Sequence, residues 1–360
     1  MVKIRIIMKK ELDNSLKPCA KMRLDSILSV LPIVEVKSSG THVEIGGNMF
    51  DVVASIDVSG KPMKLFAEVV KRAEPRFARM AALELKSRIQ SVKNGYGILV
   101  APYISPPAVE ICRESGVGCM DLSGNAFLSF GSVFIERSGR ANAYLEARPL
   151  RSLFSPKTSR VLMAFFLNPS KRWQVGELSR AAGVSLGLAS KAKQALLAQE
   201  WVEEDGRRLI LRKPFELLKE WSRSYSFKKN RILSFYSGLS ETALETAVKT
   251  ECGKRACRYG LALFTGAARV APYVAFPKFF AYIDGDIAEV AEALELKKVE
   301  SGANVTLLEP YDDGVFLGLR QIGGASVVSD IQLYLDLMSY GTRGEDAAQA
   351  VFEQRIQPLW

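Results

Sequence analysis

Residues 175–200 read VGELSRAAGVSLGLASKAKQALLAQE, and this stretch decides the fold of the middle of the chain. The pattern predicts a short helix over Val175–Ala182, which Gly183 ends. Ser185 is a good cap for a following helix, which is predicted to run to about Gln199. Two helices joined by a glycine-containing turn are typical of a helix-turn-helix.

The second of these helices has an apolar side and a polar, basic side. Small residues at its start let such a helix enter a DNA major groove, where Ser, Lys and Gln bond phosphates and base edges. The predicted buried stripe is Leu188, Ala192, Ala195, Leu196 and Ala198. The predicted DNA-binding residues are Ser185, Gly187, Ser190, Lys191, Lys193 and Gln194.

The segments on either side complete a winged helix. Lys157–Leu167 has apolar residues at helical spacing and is predicted as the first helix of the domain. Trp201–Glu204 and Leu209–Arg212 are predicted as two short strands around a turn. Arg207 and Arg208 lie in that turn, where they can reach backbone phosphates or a minor groove. A winged helix can also serve as a protein-interaction module, in which case these cations are only solvated.

The net charge of +10 is concentrated in the same region. Residues 151–231 contain 17 Lys and Arg against 7 Asp and Glu, whereas residues 1–150 contain 21 against 15 and residues 232–360 contain 11 against 17. A concentrated excess of positive charge is typical of a protein that binds a polyanion. The sequence therefore predicts double-stranded DNA as a partner, and a solvated basic surface is the alternative.

Composition excludes several other classes. The chain has 48% hydrophobic and 24% charged residues, as in an ordinary globular protein. No apolar run approaches the ~20 residues that cross a bilayer, and the start MVKIRIIMKK lacks a secretory cleavage site. The five cysteines form no CxxC pair, and the single histidine, His42, disfavours most metal and triad chemistry. We therefore expect a cytoplasmic protein without a membrane partner or cofactor.

Residues 1–150 alternate between strand and helix patterns. The predicted elements are the strands Phe50–Val58, Leu65–Val70, Gly97–Ala101 and Gly118–Leu122 and the helices Arg76–Val92 and Pro107–Ser115. Met80, Leu83, Ile89 and Val92 are the predicted apolar positions of the first helix. This order indicates an α/β layer around a mixed sheet.

The segment resembles the restriction-endonuclease-like fold, in which an Asp on one strand and a Glu-x-Lys on the next hold a metal ion. The matching residues are Asp51 and Glu68. Two carboxylates at neighbouring strand ends can share Mg²⁺, and a lysine beside them stabilises developing charge. The lysine position holds Val70, and Lys71 is expected on the opposite strand face. The resemblance implies either a degenerate domain or, as an alternative function, a Mg²⁺-dependent DNA nuclease to which the winged helix delivers substrate.

Residues 232–360 are acidic and again mixed in pattern. The predicted strands are Tyr259–Phe264, Phe279–Ile283, Asn304–Leu308 and Val315–Leu319, and the predicted helices are Ser240–Glu251, Asp286–Leu294, Asp330–Met338 and Gly344–Ile356. Ser329 is expected to cap the third of these helices. Thr265-Gly266 followed by Asp284-Gly285-Asp286 faintly matches a nucleotidyltransferase pattern, but an ordinary strand-to-helix turn capped by Asp286 is the favoured interpretation.

Four stretches of this region carry a second resemblance: residues 259–274, 279–284, 303–316 and, above all, 327–353, which read VVSDIQLYLDLMSYGTRGEDAAQAVFE. Together they resemble the AbiEi-type antitoxin and transcriptional-regulator family, over roughly residues 155–360. The resemblance implies a DNA-binding autorepressor of a bacterial type IV toxin–antitoxin or phage-defence operon, with a cognate nucleotidyltransferase toxin as partner. The predicted architecture is α+β and α/β multidomain: an endonuclease-like domain at 1–150, a winged helix-turn-helix at 151–231 and an AbiEi-like α+β domain at 232–360.

Overall fold

The protein is a mixed α+β, multidomain chain. The computed structural model describes residues 2–144, 153–272 and 276–360, with side chains from residue 16 onward. Contacts divide the chain into one compact unit of residues 1–147 with 198–200 and a second of residues 148–197 with 201–360. The domain boundary predicted at residues 150 and 151 lies outside the described residues.

The first unit is a seven-stranded sheet with helices on both faces. Its strands lie in chain order, and β3, β4 and β5 are parallel while the other neighbours are antiparallel. The elements are α1 (Val2–Ser29), β1 (Val34–Ile45), β2 (Asn48–Val58), β3 (Lys61–Val69), α2 (Pro75–Ile89), β4 (Gly95–Ala101), α3 (Pro106–Ser115), β5 (Gly118–Asp121), β6 (Ala126–Phe130) and β7 (Val133–Arg137).

Helices α1 and α2 cover opposite faces of this sheet. Leu24 of α1 packs in a core with Ala54, whereas Leu85 of α2 packs in another with Val53, because neighbouring residues of a strand point to opposite faces. The strands predicted at Phe50–Val58 and Gly97–Ala101 are confirmed within β2 and β4. Helix α1 and strands β1, β6 and β7 have no counterpart among the predicted elements.

The predicted buried face of α2 is partly wrong. Met80 and Leu83 are 61% and 57% exposed, while Ile89 is buried as predicted. The positions that face the sheet are Ala78, Ala82, Leu85 and Ile89. This series also has helical spacing, and alanines take the places where the helix approaches the strands. The prediction chose the largest apolar side chains of α2 as its buried positions and therefore identified the wrong face of the helix.

The second unit begins with three helices and a hairpin. The elements are α4 (Pro156–Leu167), α5 (Val175–Ala181), α6 (Leu186–Ala198), β8 (Val202–Asp205), β9 (Arg208–Leu211) and α7 (Pro214–Ser224). Gly183 has a positive φ of 60° between α5 and α6, and Gly206 has 61° in the hairpin turn, conformations that glycine adopts without strain. Trp173 adds a bridge to Leu209, so a third short piece of backbone joins the hairpin.

A second seven-stranded sheet follows, in the order β13-β10-β14-β12-β11-β16-β15. Its unit contains β10 (Arg231–Tyr236), α8 (Glu241–Lys254), β11 (Arg258–Leu261), α9 (Leu263–Val270), β12 (Phe279–Asp284), α10 (Ile287–Ala293), β13 (Lys297–Lys298), β14 (Val305–Glu309), β15 (Arg320–Ile322), β16 (Ala325–Val327), α11 (Asp330–Met338) and α12 (Thr342–Val351). Short helical turns lie at Phe227–Lys229, Asp313–Phe316, Phe352–Ile356 and Gln357–Leu359.

Two predictions for this part of the chain are wrong, and one is confirmed to the residue. The strand predicted at Val315–Leu319 is replaced by the turn Asp313–Phe316, because the Asp312 side chain caps that turn through the Gly314 amide. Phe264 lies in helix α9 rather than in the preceding strand, which ends at Leu261. Helix α11 spans Asp330–Met338 as predicted.

One hydrophobic core runs through the whole second unit. Val161 of α4 and Leu307 of β14 belong to the same buried cluster. Phe166 of α4 stacks on Trp221 with 6.1 Å between ring centroids, and it lies 6.0 Å from the ring of Trp360. The boundary predicted between residues 231 and 232 therefore runs through a continuous core, and the three-domain division stays a prediction. Among the described residues, no helix has the length and apolarity needed to cross a membrane.

Candidate nucleic-acid interface

Helix α6 presents one polar face to solvent. Five of the predicted DNA-binding residues are exposed: Ser185, Gly187, Ser190, Lys191 and Gln194. Leu186, which was not among the predicted residues, is exposed as well. The Ser185 hydroxyl accepts a hydrogen bond from the Leu188 amide at 3.3 Å. The opposite face of α6 enters the core through Ala189, Ala192, Leu196, Leu197 and Ala198. The structure thus brings five of the six predicted residues of this helix onto one accessible surface, while the predicted core residues Leu188 and Ala195 are half-buried.

Lys193 is the exception. Its side chain is 17% exposed and forms an ion pair with Glu204 of β8. The pattern of α6 alone put this lysine on the free polar side, because that pattern carries no information on the hairpin that packs beside the helix. Lys193 therefore connects α6 to β8.

The two arginines of the hairpin differ in their contacts, although both are exposed. Arg207 occupies the two-residue turn with Gly206 and is exposed. The Arg208 side chain instead donates to the carbonyl of Arg172 at 3.1 Å and lies 3.7 Å from the carboxylate of Glu177. The predicted pair of arginines is therefore split between the tip of the hairpin and the start of α5.

The three acidic residues of β8 each hold a cation. Glu203 pairs with Arg212 at 2.6 Å, Glu204 with Lys193, and Asp205 with Arg172. Local ion pairs therefore neutralise part of the regional charge excess. Within the described part of the chain, no ion pair holds Lys191 or Arg207, so among the predicted DNA-binding residues these two are the candidates for contacts with phosphate.

Glu177 fixes the start of helix α5. Its carboxylate accepts a hydrogen bond from the Gln174 amide at 3.0 Å, which is half of a capping box. That bond lowers the pKa of Glu177, and nearby cations including Lys171 and Arg208 add to the effect. Glu177 is thus an ionised cap that holds α5, and with it the turn to α6, in place.

The two predicted nuclease carboxylates lie on neighbouring strands. Asp51 is 2.5 Å from the Lys17 ammonium and accepts a hydrogen bond from the Val69 amide at 2.9 Å. Glu68 pairs with Arg88 at 2.9 Å. Burial raises the pKa of Glu68, and the negative charge of Asp51 raises it further. Lys17 and Arg88 could not be found from a local motif because they come from α1 and α2, distant in the chain.

These contacts do not fit a magnesium site. One oxygen of Asp51 is held by an ammonium and the other by a backbone amide, and a guanidinium occupies Glu68, so two cations already balance the two charges. Val70 follows at the end of β3, and Lys71 lies beyond that strand. Among the residues that the structure describes, no group of three His, Cys, Asp or Glu could hold a metal ion. These contacts count against the nuclease hypothesis, which stays a prediction.

The second acidic pattern has a structural role. Asp286 caps helix α10 by accepting a hydrogen bond from the Ala288 amide at 2.8 Å, as predicted. Asp284 pairs with Arg258 at 2.5 Å. The Thr265 hydroxyl accepts a hydrogen bond from the Phe280 amide at 2.9 Å. These contacts fix a strand-to-helix turn, in agreement with the favoured interpretation.

Helix α11 contains a buried acid that no sequence pattern singled out. One oxygen of Asp336 accepts hydrogen bonds from Tyr225 at 2.6 Å, Gln332 at 2.9 Å and Tyr282 at 3.0 Å. The residue has no exposed surface, and burial raises its pKa to about 7. Ile331, Leu333 and Leu335 of the same helix are also buried.

Most of the second unit matches a known protein family. Residues 208–357 match the family model described as transcriptional regulator, AbiEi antitoxin, of type IV toxin–antitoxin systems. This region is similar to the AbiEi antitoxin family. The match begins at β9 and includes all of the second sheet with α11 and α12, so it is narrower than the predicted resemblance over 155–360. No curated protein and no solved structure matches the chain.

The AbiEi match does not reach the predicted DNA-binding helix. Helices α4, α5 and α6 precede residue 208, although they share one core with the matched region. Residues 1–147 lie outside the match as well, so their resemblance to endonucleases stays a prediction. The matched family is one of transcriptional regulators and antitoxins of type IV toxin–antitoxin systems.

Proposed function

We propose that this protein is a DNA-binding transcriptional regulator that acts as antitoxin and autorepressor of a type IV toxin–antitoxin operon. The observation that carries the proposal is the exposed face of α6, with Ser185, Ser190, Lys191 and Gln194, on a unit whose residues 208–357 match the AbiEi antitoxin family. In this proposal the protein requires no cofactor and binds DNA in the cytoplasm.

The side chains of α6 suit a major groove. The N-terminal turn carries Ser185 and Gly187, so the backbone can approach the groove closely, and the helix dipole favours a phosphate there. Ser190 and Gln194 lie one turn apart, at the i and i+4 spacing that places two side chains side by side. Gln can read the edge of adenine through two hydrogen bonds, so Gln194 is the main candidate for sequence recognition.

Lys191 and Arg207 are assigned to the DNA backbone. Lys191 stands next to the reading positions of α6, and Arg207 projects from the hairpin tip, where a wing meets the adjacent groove. Because Lys193, Arg172, Arg208 and Arg212 are engaged with acids, the number of phosphate contacts is small. We therefore expect a shallower salt dependence than the regional charge of the sequence suggests.

The proposal is tested by binding of the full chain to its own promoter. The measurement is fluorescence anisotropy of a labelled duplex over a series of salt concentrations, with an unrelated duplex as reference. Replacing Lys191 and Arg207 together by glutamine should weaken both duplexes alike, whereas Gln194→Ala should weaken the promoter selectively. Arg343→Gln, an exposed arginine on α12, is the matched control. Absence of duplex binding at low salt overturns the proposal.

The antitoxin role is carried by the family match and has its own test. The toxin expected from the resemblance is a nucleotidyltransferase encoded beside this gene, with the acidic residues 232–360 as a candidate contact region. Co-expression of the two genes should relieve the growth arrest that the neighbour causes alone. Arrest that is unchanged on co-expression contradicts the antitoxin role and leaves the DNA-binding proposal standing.

A further inference from the structure

A cavity of about 100 Å³ lies where helix α4 meets the C-terminal helices of the second unit. Phe166 and Leu167 at the end of α4 form one wall, and Ile331 of α11 with Trp360 forms another. Six of its lining residues are apolar, but Arg320, Asp330 and Arg355 also line it. A mostly apolar cavity with a few convergent polar groups has the general character of a small-molecule site.

Three charged side chains line this cavity, two arginines and one aspartate. The Arg320 guanidinium bonds the carboxylate of Asp330 through Nη2, which fixes its orientation. Arg355 also faces that carboxylate, but at 3.7 Å, longer than a hydrogen bond. Two guanidinium groups therefore share one carboxylate, and the sum of the three charges is positive.

Arg320 has a donor that its ion pair does not use. Its Nε is buried and, in the part of the chain that the structure describes, has no hydrogen-bond partner. A buried donor of this kind costs free energy until an acceptor reaches it, and it belongs to a group that is always charged. The geometry therefore favours an anionic acceptor placed between Arg320 and Arg355.

We propose that this cavity binds a small organic monoanion, with a carboxylate between the two arginines and a compact apolar body against Leu167 and Trp360. An engineered apolar cavity of ~150 Å³ holds benzene, and this cavity is smaller, so it encloses only part of an aromatic carboxylate such as benzoate, whose ring extends toward Leu359, which is 58% exposed. Inorganic phosphate matches less well, because it has no apolar part and carries more charge toward Asp330.

Such a ligand contacts both halves of the second unit. Its apolar body touches the end of α4, the first helix of the predicted winged helix, and its carboxylate touches residues around the start of α11. The binding itself does not depend on the proposed DNA contacts, which lie on α6 and the hairpin. Its test can therefore succeed or fail independently of the proposed function.

In the experiment, the full chain is titrated with sodium benzoate. Binding is measured by calorimetry and by saturation-transfer NMR of the ligand. We expect saturable binding with a dissociation constant on the order of 1 mM. Arg355→Gln should weaken it at least ~10-fold, since the arginine supplies charge-assisted hydrogen bonds. Arg343→Gln is the control for loss of one surface charge, and benzamide is the neutral analogue of the ligand. Thermal melting checks that Arg355→Gln, whose side chain is 42% exposed, stays folded.

Each outcome decides for or against the site. Saturable benzoate binding that Arg355→Gln weakens and Arg343→Gln leaves unchanged supports it, as does weak or absent binding of benzamide. Equal affinity for benzamide, tighter binding of inorganic phosphate than of benzoate, or no saturation up to about 10 mM benzoate overturns it. If Arg355→Gln melts early, Leu359→Ala replaces it, and unchanged benzoate affinity in that variant also contradicts the proposal.

Discussion

Arg160 of helix α4 and Asp312 form a two-point ion pair, with Nε 2.7 Å from Oδ1 and Nη2 2.8 Å from Oδ2. The two side chains are only 16% and 8% exposed. The hydrogen bond to Asp312 raises the pKa of Arg160, so the guanidinium stays charged. Asp312 also accepts a hydrogen bond from the Gly314 amide at 2.8 Å. This bond caps the helical turn Asp313–Phe316, which follows β14. The pair thus connects the predicted winged helix to the region that matches the AbiEi family.

Arg160→Leu should destabilise the protein strongly. It removes the cation and leaves Asp312 nearly buried with only an amide partner, and breaking a buried pair in this way costs about 3–5 kcal/mol. Urea unfolding followed by circular dichroism measures the free energy. The matched control is Arg231→Leu, because Arg231 and Glu309 form a pair at 3.0 Å that is largely exposed. The control should lose less than about 1 kcal/mol. Equal losses in the two variants contradict the connecting role of Arg160.

Asp336 should make stability depend on pH. Its pKa is 3.8 in an unfolded chain and about 7 in the folded protein, because burial penalises the charged form. Well below pH 3.8 the acid is neutral in both states, so its ionisation costs nothing. As pH rises to about 7 the unfolded state ionises first, so the free energy of unfolding falls by about 4 kcal/mol. Urea unfolding at a series of pH values measures this loss.

The variant Asp336→Asn isolates that contribution. The amide oxygen can still accept hydrogen bonds from Tyr225 and Tyr282, but the group no longer titrates. The difference between wild type and variant should therefore change with pH from about 3 to about 8 and stay constant above that range. Asp286→Asn, at the exposed cap of α10, is the control for replacing an aspartate by asparagine. Parallel curves for wild type and Asp336→Asn would rule out the raised pKa.

Asp51 should hold the sheet of the first unit rather than a metal ion. Asp51→Ala removes the contacts with Lys17 and the Val69 amide, so we expect a loss of about 1–2 kcal/mol on urea unfolding. Plasmid incubated with wild type over a series of Mg²⁺ and Mn²⁺ concentrations should stay supercoiled, because Lys17 and Arg88 neutralise the two carboxylates. Asp57→Ala, which removes an exposed turn contact of β2 with Gly60, is the control for stability. Metal-dependent nicking by wild type that Asp51→Ala abolishes would restore the nuclease hypothesis.

Local signals explain what the sequence could predict. Gly183 and Ser185 marked the turn between α5 and α6, and Ser329 marked the start of α11, where its hydroxyl accepts from the Gln332 amide at 3.2 Å. Turn and cap chemistry involves residues at most a few positions apart, so one chain suffices to find it.

Contacts between distant segments explain the errors. Lys193 is withdrawn from the polar face of α6 by Glu204 on another element, and Lys17 and Arg88 reach Asp51 and Glu68 from separate helices. Burial of Asp336 depends on Tyr225 and Tyr282, which lie more than fifty residues away in the chain. No periodicity or motif within one segment contains this information.

The carboxylate of Glu204 should weaken DNA binding, because it competes with DNA phosphates for the positive charge of Lys193. Glu204→Gln removes one negative charge from β8 and releases Lys193. Affinity for any duplex should therefore rise about 3- to 10-fold at low salt. The slope of log affinity against log salt concentration should also become steeper, by the equivalent of up to one additional phosphate contact. Fluorescence anisotropy with the promoter and with an unrelated duplex measures both effects. Glu220→Gln, which frees Arg223 on α7, removes the same charge away from the proposed interface and should leave affinity unchanged. Weaker binding by Glu204→Gln would mean that the pair positions α6 for recognition, whereas equal gains in both variants would show that net charge alone, and not the surface of α6, governs association.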